Sequence, residues 1–271
     1  MDCKQPMDKK LYAIREVSEL TGVKPVTLRA WQRRYNLVQP ERTEKGHRLY
    51  SEDNIEMIRE IQGWLAKGIA IGKVKDLLAN PDAEGALAVE SRELDEVERM
   101  LSALSVLNAG KAESVLNTVL KEYPFSVVCD QFLYPVMTAL ERVKSTTRSL
   151  QKGLLRSMLH TRLTFIVEAE RKAATKGKCL LLSYEGGDFI AGWMEAVTLS
   201  EQGWYVTLID GVEDLSGLGF ADVAEHYQRV HIFSHRALQE KQLNMVKSML
   251  DNNKVTLGDV LARLQFGQGW Q

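Results

Sequence analysis

The sequence predicts a multidomain α plus α/β chain, and three observations carry that prediction. Its first third holds short helical patterns broken by Gly and Pro, with arginines and aromatic residues gathered between Thr27 and Tyr50. Its middle repeats apolar residues at spacings of three and four over four successive stretches, the pattern of helices that pack on one another. Beyond Lys178, short apolar runs alternate with helical ones, the rhythm of a small parallel sheet. The parts are a head at 1–80, a four-helix bundle at 91–175 and a Rossmann-like tail at 178–271.

In order along the chain, Ile14, Val17 and Leu20 put a short helix over Tyr12 to Leu20. Thr21-Gly22-Val23 turns the chain, and Pro25 opens a second helix to about Tyr35, with Val26, Leu28 and Trp31 on its inner or groove-edge side. Two short helices around a Gly-containing turn form a helix-turn-helix. Pro40 and then Arg42 to Tyr50, bent near Gly46, read as a small β-hairpin, a wing. Ser51 caps a third helix whose stripe is Ile55, Ile58, Ile61 and Leu65, and Val74 to Leu78 forms one more short turn of helix.

Asn80 to Ser91, with Pro81 and Gly85, reads as a boundary. The bundle helices follow on the stripe Leu94, Val97, Leu101, Leu104 and Leu107, on Val115 to Leu120, on Phe125 to Leu140 and on Thr147 to Ala174. Lys178 to Tyr184, Tyr205 to Ile209 and Val230 to Phe233 are the strands of the tail, with helices to about Gln202 and from Ala237 to Asp251.

Net charge is −1, but its distribution is uneven: 15 Lys and Arg against 11 Asp and Glu in residues 1–80, then 20 against 25 beyond. The basic part is the head. Cys3, Cys129 and Cys179 are far apart without metal-ligand spacing and read as reduced thiols. The polar stretch Met1 to Lys10 is no signal peptide, and no apolar run approaches the ~20 residues of a membrane helix. A cytoplasmic protein without membrane contact is expected.

The chemistry of the head points to nucleic acid. Arg29 and Arg33 lie four apart and share a helix face, with Arg34 beside them and Lys24 at the helix start. Arg42, Lys45, His47 and Arg48 add a second cationic group on the hairpin, while Trp31 and Tyr50 offer polar-tipped rings to phosphate oxygens. One helix in a groove and a hairpin on the backbone is the docking these residues suit.

Thr27-Leu28-Arg29, Arg33, Leu37, Pro40, Arg42, Gly46, Arg48 and Tyr50 together resemble the N-terminal signature of the MerR family. Ala30 to Tyr35 and Gly46-His47-Arg48 are similar to its branch of light- and cobalamin-responsive regulators, and most to those that control curli and biofilm genes. The resemblance implies a paired transcription factor on double-stranded promoter DNA, an activator that aids RNA polymerase. It implies DNA contacts by Arg29, Trp31 and Arg33 and a wing anchored by Arg42, Arg48 and Tyr50; Thr27, on the same helix, is a further candidate DNA-binding residue. The long dimerisation helix of the family is not evident after Asn80, so a dimer would be built differently or form on DNA.

The tail resembles the B12-binding module of that branch with its chemistry changed. Where the module has an acid, a cobalt-ligating His and a Gly, this chain has Gly187, Phe189 and Gly192. Phenylalanine has no lone pair to give a metal. The family's Trp and Glu-His over the other cobalamin face align with Lys144, Leu154 and Leu155. No cofactor, metal or catalytic residue is expected, and the tail is left for signal input, a signalling protein partner or oligomerisation. A ligand-dependent sensor or corrinoid enzyme with a DNA-docking head is the alternative. Glu185 to Asp188 reads as a strand-to-helix turn, and His226, His231 and His235 as surface or capping histidines.

Overall fold

Tyr12–Ala13 (β1) pairs antiparallel with Arg48–Tyr50 (β3), and β3 also pairs with Glu41–Arg42 (β2), giving a three-stranded sheet of order β1-β3-β2. The register sets Tyr12 opposite Tyr50 and Arg42 opposite Arg48. These positions belong to a computed structural model, which describes residues 10–79, 93–144, 146–184, 189–219, 226–250 and 255–267. The sequence places Tyr12 in a helix, whereas the structure places it in a strand. Its hydroxyl donates to Glu52 Oε2 at 2.6 Å, which holds the ring on the sheet. Helix α1, Ile14–Thr21, starts where Glu16 accepts the Ala13 N–H at 2.6 Å. Val17 is fully buried, but Leu20, expected in the stripe, is 49% exposed.

Gly22 ends α1 at φ 72°, its N–H reaching Ser18 O at 2.8 Å, and Pro25 opens α2, Pro25–Tyr35. The β2–β3 hairpin turns at Gly46, whose φ of 79° would strain any side chain. Ser51 Oγ accepts the Asn54 N–H at 3.3 Å and Asn54 Oδ1 accepts the Ser51 N–H at 3.1 Å, a reciprocal cap on α3, Glu52–Ala66. Ile55, Ile58, Ile61 and Leu65 are completely buried, as their spacing requires. Helix α4 is Ile71–Ala79. The expected boundary from Asn80 to Ser91 lies outside the described residues.

Helices α5, Glu96–Ser105, and α6, Ala109–Glu122, come next. Leu107, expected in the core, is 41% exposed in the left-handed turn between them (φ 52°). A short helix α7, Phe125–Val128, runs through a π-type turn, Cys129–Leu133, into α8, Tyr134–Arg142. Pro135 has no N–H, so the Gln131 carbonyl four residues back lacks its helical partner. It accepts the Leu94 N–H at 3.0 Å instead. The Gln131 side chain donates to Leu65 O at 2.7 Å near the end of α3, a carbonyl that also accepts the Gly68 N–H at 3.0 Å.

Helix α9, Arg148–Glu170, crosses the point at which the chain divides into two compact units, Met1–Leu154 and Leu155–Gln271. The second unit is built on four parallel strands: β4, Lys178–Ser183, β5, Tyr205–Ile209, β6, Arg229–Phe233, and β7, Val255–Leu257. Their order is β5-β4-β6-β7. Strand β4 is buried from Cys179 to Ser183, as expected of an interior strand covered on both faces. Leu180, Leu182, Val230 and Ile232 form one core with Leu257 and Leu261. Around the sheet are α10, Phe189–Glu201, α11, Glu240–Leu250, and α12, Asp259–Phe266.

Strand β7 and α12 go beyond the three strands read from the sequence. His231 is also a correction, since it lies inside β6 and is 7% exposed. Its Nδ1 is 2.8 Å from Thr256 Oγ1 and its Nε2 is 3.0 Å from Glu195 Oε1, so both ring nitrogens face an oxygen. His235 and His226 are exposed. No helix among the described residues is long and apolar enough to cross a membrane.

Candidate nucleic-acid interface

A helix advances about 100° per residue, so Arg29, Gln32 and Arg33 share one side of α2 while Trp31, Arg34 and Tyr35 share the opposite one. Arg33 is exposed and Arg29 half-buried; Lys24 is the N-cap residue, at the positive end of the helix. The hairpin adds its charges to the first side. Arg48 Nε donates to Gln32 Oε1 at 2.8 Å, and Arg42 Nη1 donates to Gly46 O at 3.3 Å. Burial, then the charge of Arg42 and the weaker effects of Arg29 and Arg33, hold the Arg48 pKa below the ordinary arginine value. Arg48 stays protonated at any working pH. Beside the effect of burial, the repulsion from Arg42, Arg29 and Arg33 reflects four like charges gathered around α2 and the hairpin, an arrangement suited to a polyanion. Lys45 and His47 are exposed at the turn, where the His47 N–H donates to Thr43 Oγ1 at 3.0 Å.

Three residues expected on this surface lie behind it. Thr27, Trp31 and Tyr50 are 2%, 0% and 1% exposed. The Trp31 indole N–H donates to the Glu122 main-chain O at 2.7 Å. Burial raises the Tyr50 pKa against the lowering charges of Arg48, Arg29 and Arg42. Its hydroxyl makes no hydrogen bond among the described residues. Aromatic rings carry ~150–250 Å² of surface each, and in a head this small that area goes to the core. Arg34 also leaves the cationic group: on the opposite side of α2, it pairs with the Glu122 carboxylate, which the Tyr35 hydroxyl meets as well.

Gln32 and Glu122 are the residues that the sequence alone did not single out. Gln32 sits between Arg29 and Arg33 in the motif, a placement that could have flagged it. Glu122 meets α2 across some ninety residues of chain (Trp31 pairs with it at a separation of 91), and no local pattern announces such a pairing.

The tail does not fit a metal held from the start of α10. Position 189 there is phenylalanine, and His231 is engaged within the sheet. Among the described residues, no three His, Cys, Asp or Glu side chains are placed to hold a metal ion. Leu155 is buried and Leu154 half-buried on α9, and neither carries an atom that could ligate a metal. Gly192 has a packing reason instead. A Cβ there would stand 2.8 Å from Ser183 Oγ and 3.0 Å from Ser183 Cβ, so α10 lies against β4 at that point. Glu185 to Asp188 lie outside the described residues.

The two helices around Gly22, backed by a hairpin, define a helix-turn-helix protein of the regulator type. Residues 12–80 match the MerR HTH family regulatory protein profile. The HTH-type transcriptional regulator MlrA of Escherichia coli (strain K12) is 32% identical over 199 residues, 73% of this chain and 79% of the relative. The HTH-type transcriptional repressor CarA of Myxococcus xanthus is 27% identical over 205 residues, 72% of this chain and 67% of the relative. The mercuric resistance operon regulatory protein of Bacillus cereus is 29% identical over 108 residues, 34% of this chain and 82% of its own length. This chain belongs to the MerR family of helix-turn-helix transcriptional regulators.

Proposed function

We propose that the protein binds promoter DNA sequence-specifically, laying α2 in the major groove and bracing the β2–β3 hairpin on the backbone as a wing. The observation that carries this reading is the gathering of Arg29, Arg33, Arg42 and Arg48 on one side of α2, with Gln32 holding Arg48 among them. Arg29 and Arg33 supply the groove contacts, where a guanidinium matches guanine edges. Lys24, Arg42, His47 and Arg48 supply phosphate contacts, which fix register without reading sequence. Thr27, Trp31 and Tyr50 support that surface from within.

In this reading the protein acts in the cytoplasm as a dimer, formed at the latest on DNA, and aids RNA polymerase at genes of the biofilm and curli type. The resemblance of the head to its family favours activation, although CarA is a repressor by name. The C-terminal unit serves signal input or self-association without axial cobalt ligation, and a signalling protein is the partner class proposed for it. Genome-wide chromatin immunoprecipitation with the intact protein tests the whole reading, followed by a titration on the strongest fragment. Discrete promoter peaks whose binding is lost in Arg48→Ala are the expected result. A flat profile, or equal binding by Arg48→Ala, would overturn it.

A further inference from the structure

One acid receives three side chains from the back of the recognition helix. Trp31 donates its indole N–H to the Glu122 main-chain O at 2.7 Å, while Arg34 and Tyr35 donate to the two carboxylate oxygens. Glu122 is the last residue of α6 and is 2% exposed. A carboxylate so enclosed is tolerated only when its oxygens are paired, and here both partners stand on α2. Two further bonds fasten the same helical layer to the head. The Ile71 N–H at the start of α4 donates to Tyr123 Oη at 3.4 Å, and Gln131 holds Leu65 O at the end of α3. Trp31, Arg34 and Tyr35 lie about 180° around α2 from Arg29, Gln32 and Arg33, so the acid does not compete with DNA for the cationic side.

We propose that Glu122 is a positioning residue for DNA recognition, fixing the rotation and tilt of α2 from behind so that helices α5 to α8 set how Arg29 and Arg33 meet the groove. The proposal rests on the DNA-binding reading above. It separates two kinds of binding. Base readout needs α2 in one orientation, whereas phosphate attraction needs only the charge. Losing the carboxylate therefore weakens specific binding while general attraction to DNA persists, or grows as one buried anion disappears.

The experiment uses the full chain as wild type, Glu122→Ala, Glu122→Gln, Arg48→Ala and the charge swap Arg34→Glu with Glu122→Lys. Each is titrated against the strongest promoter fragment from the immunoprecipitation and against an unrelated duplex of equal length. Hydrogen exchange over residues 25–35 is read without DNA. Glu122→Ala is expected to weaken promoter binding about tenfold, in line with the loss of charge-assisted hydrogen bonds, and to leave the unrelated duplex bound as before. Glu122→Gln follows in the same direction with a smaller loss, which keeps the test decisive if the alanine variant folds poorly. The charge swap restores part of the promoter affinity, and α2 amides exchange faster in Glu122→Ala. Unchanged or tighter promoter binding in both Glu122 variants, with Arg48→Ala still weakened, would overturn the proposal. So would an equal loss on both duplexes, or unaltered exchange over α2. Wild-type protein that binds neither duplex would instead overturn the DNA-binding reading, and the exchange would still report whether Glu122 restrains α2.

Discussion

Gln32 Oε1 accepts the Arg48 Nε–H at 2.8 Å, so the helix and the hairpin present their charges as one surface. Because the bond uses Nε, it fixes the guanidinium plane while the terminal nitrogens face elsewhere. Arg48→Ala should weaken binding to every duplex and lower the slope of log affinity against log salt by about one. Gln32→Leu keeps the charge but releases its orientation, so it should weaken affinity less and leave the slope unchanged. Anisotropy titrations at several salt concentrations distinguish the two.

Trp31 is a core residue with one polar obligation. Trp31→Phe keeps a ring but removes the N–H that reaches Glu122 O, which should cost about 1–3 kcal/mol in a denaturant titration. Trp31→Ala should cost about 3–5 kcal/mol through the cavity it leaves. Unchanged stability in Trp31→Phe would show that the bond to Glu122 O contributes nothing to the fold.

In the second unit, Gly192→Ala should be destabilising by about 1–3 kcal/mol. Rotating the Ser183 hydroxyl relieves the 2.8 Å contact but not the one at 3.0 Å to Ser183 Cβ. Adding Ser183→Gly should therefore recover much of the loss, a coupling that thermal melts of the single and double variants measure.

Alkaline stability has a defined sign. Burial pushes the Cys179 thiol from about 9 up to about 12, so the folded state holds its proton where the unfolded chain releases it. This contribution is intact below about 9 and is lost as pH rises toward about 12. Burial also raises Tyr35 and Tyr50, in the same direction. Midpoints of urea unfolding should be flat with respect to these groups at neutral pH and should fall above about 9. Cys179→Ala should reduce that fall, and Cys179 should react with a thiol reagent only on unfolding.

What was legible in the sequence follows from how local its cause is. Gly22, Pro25 and Ser51 act through their own backbone, and each sits where its chemistry requires. The stripe from Ile55 to Leu65 is periodic and fully buried. Trp31 and Tyr50, expected at the DNA, are buried instead, because a ring with a polar tip suits a core wall as well as a phosphate. Arg34 looked like its neighbours until Glu122 arrived from α6. Strand β7 has three residues, too few for any period to register, and His231 is polar between Val230 and Ile232 on an interior strand.

The order of the tail sheet bears on how the chain matures as it is synthesised. Its first strand, β4, is interior, and every pairing is parallel, so none can close through a simple hairpin. Cys179 to Leu182 must wait for Tyr205–Ile209 and then Arg229–Phe233 before both flanks are covered. The hairpin that carries Arg42 and Arg48 needs only its own turn. The nascent regulator should thus acquire its wing early and keep a sticky apolar strand uncovered for much longer, which makes the second unit the half that depends on chaperones and fails first when synthesis is hurried.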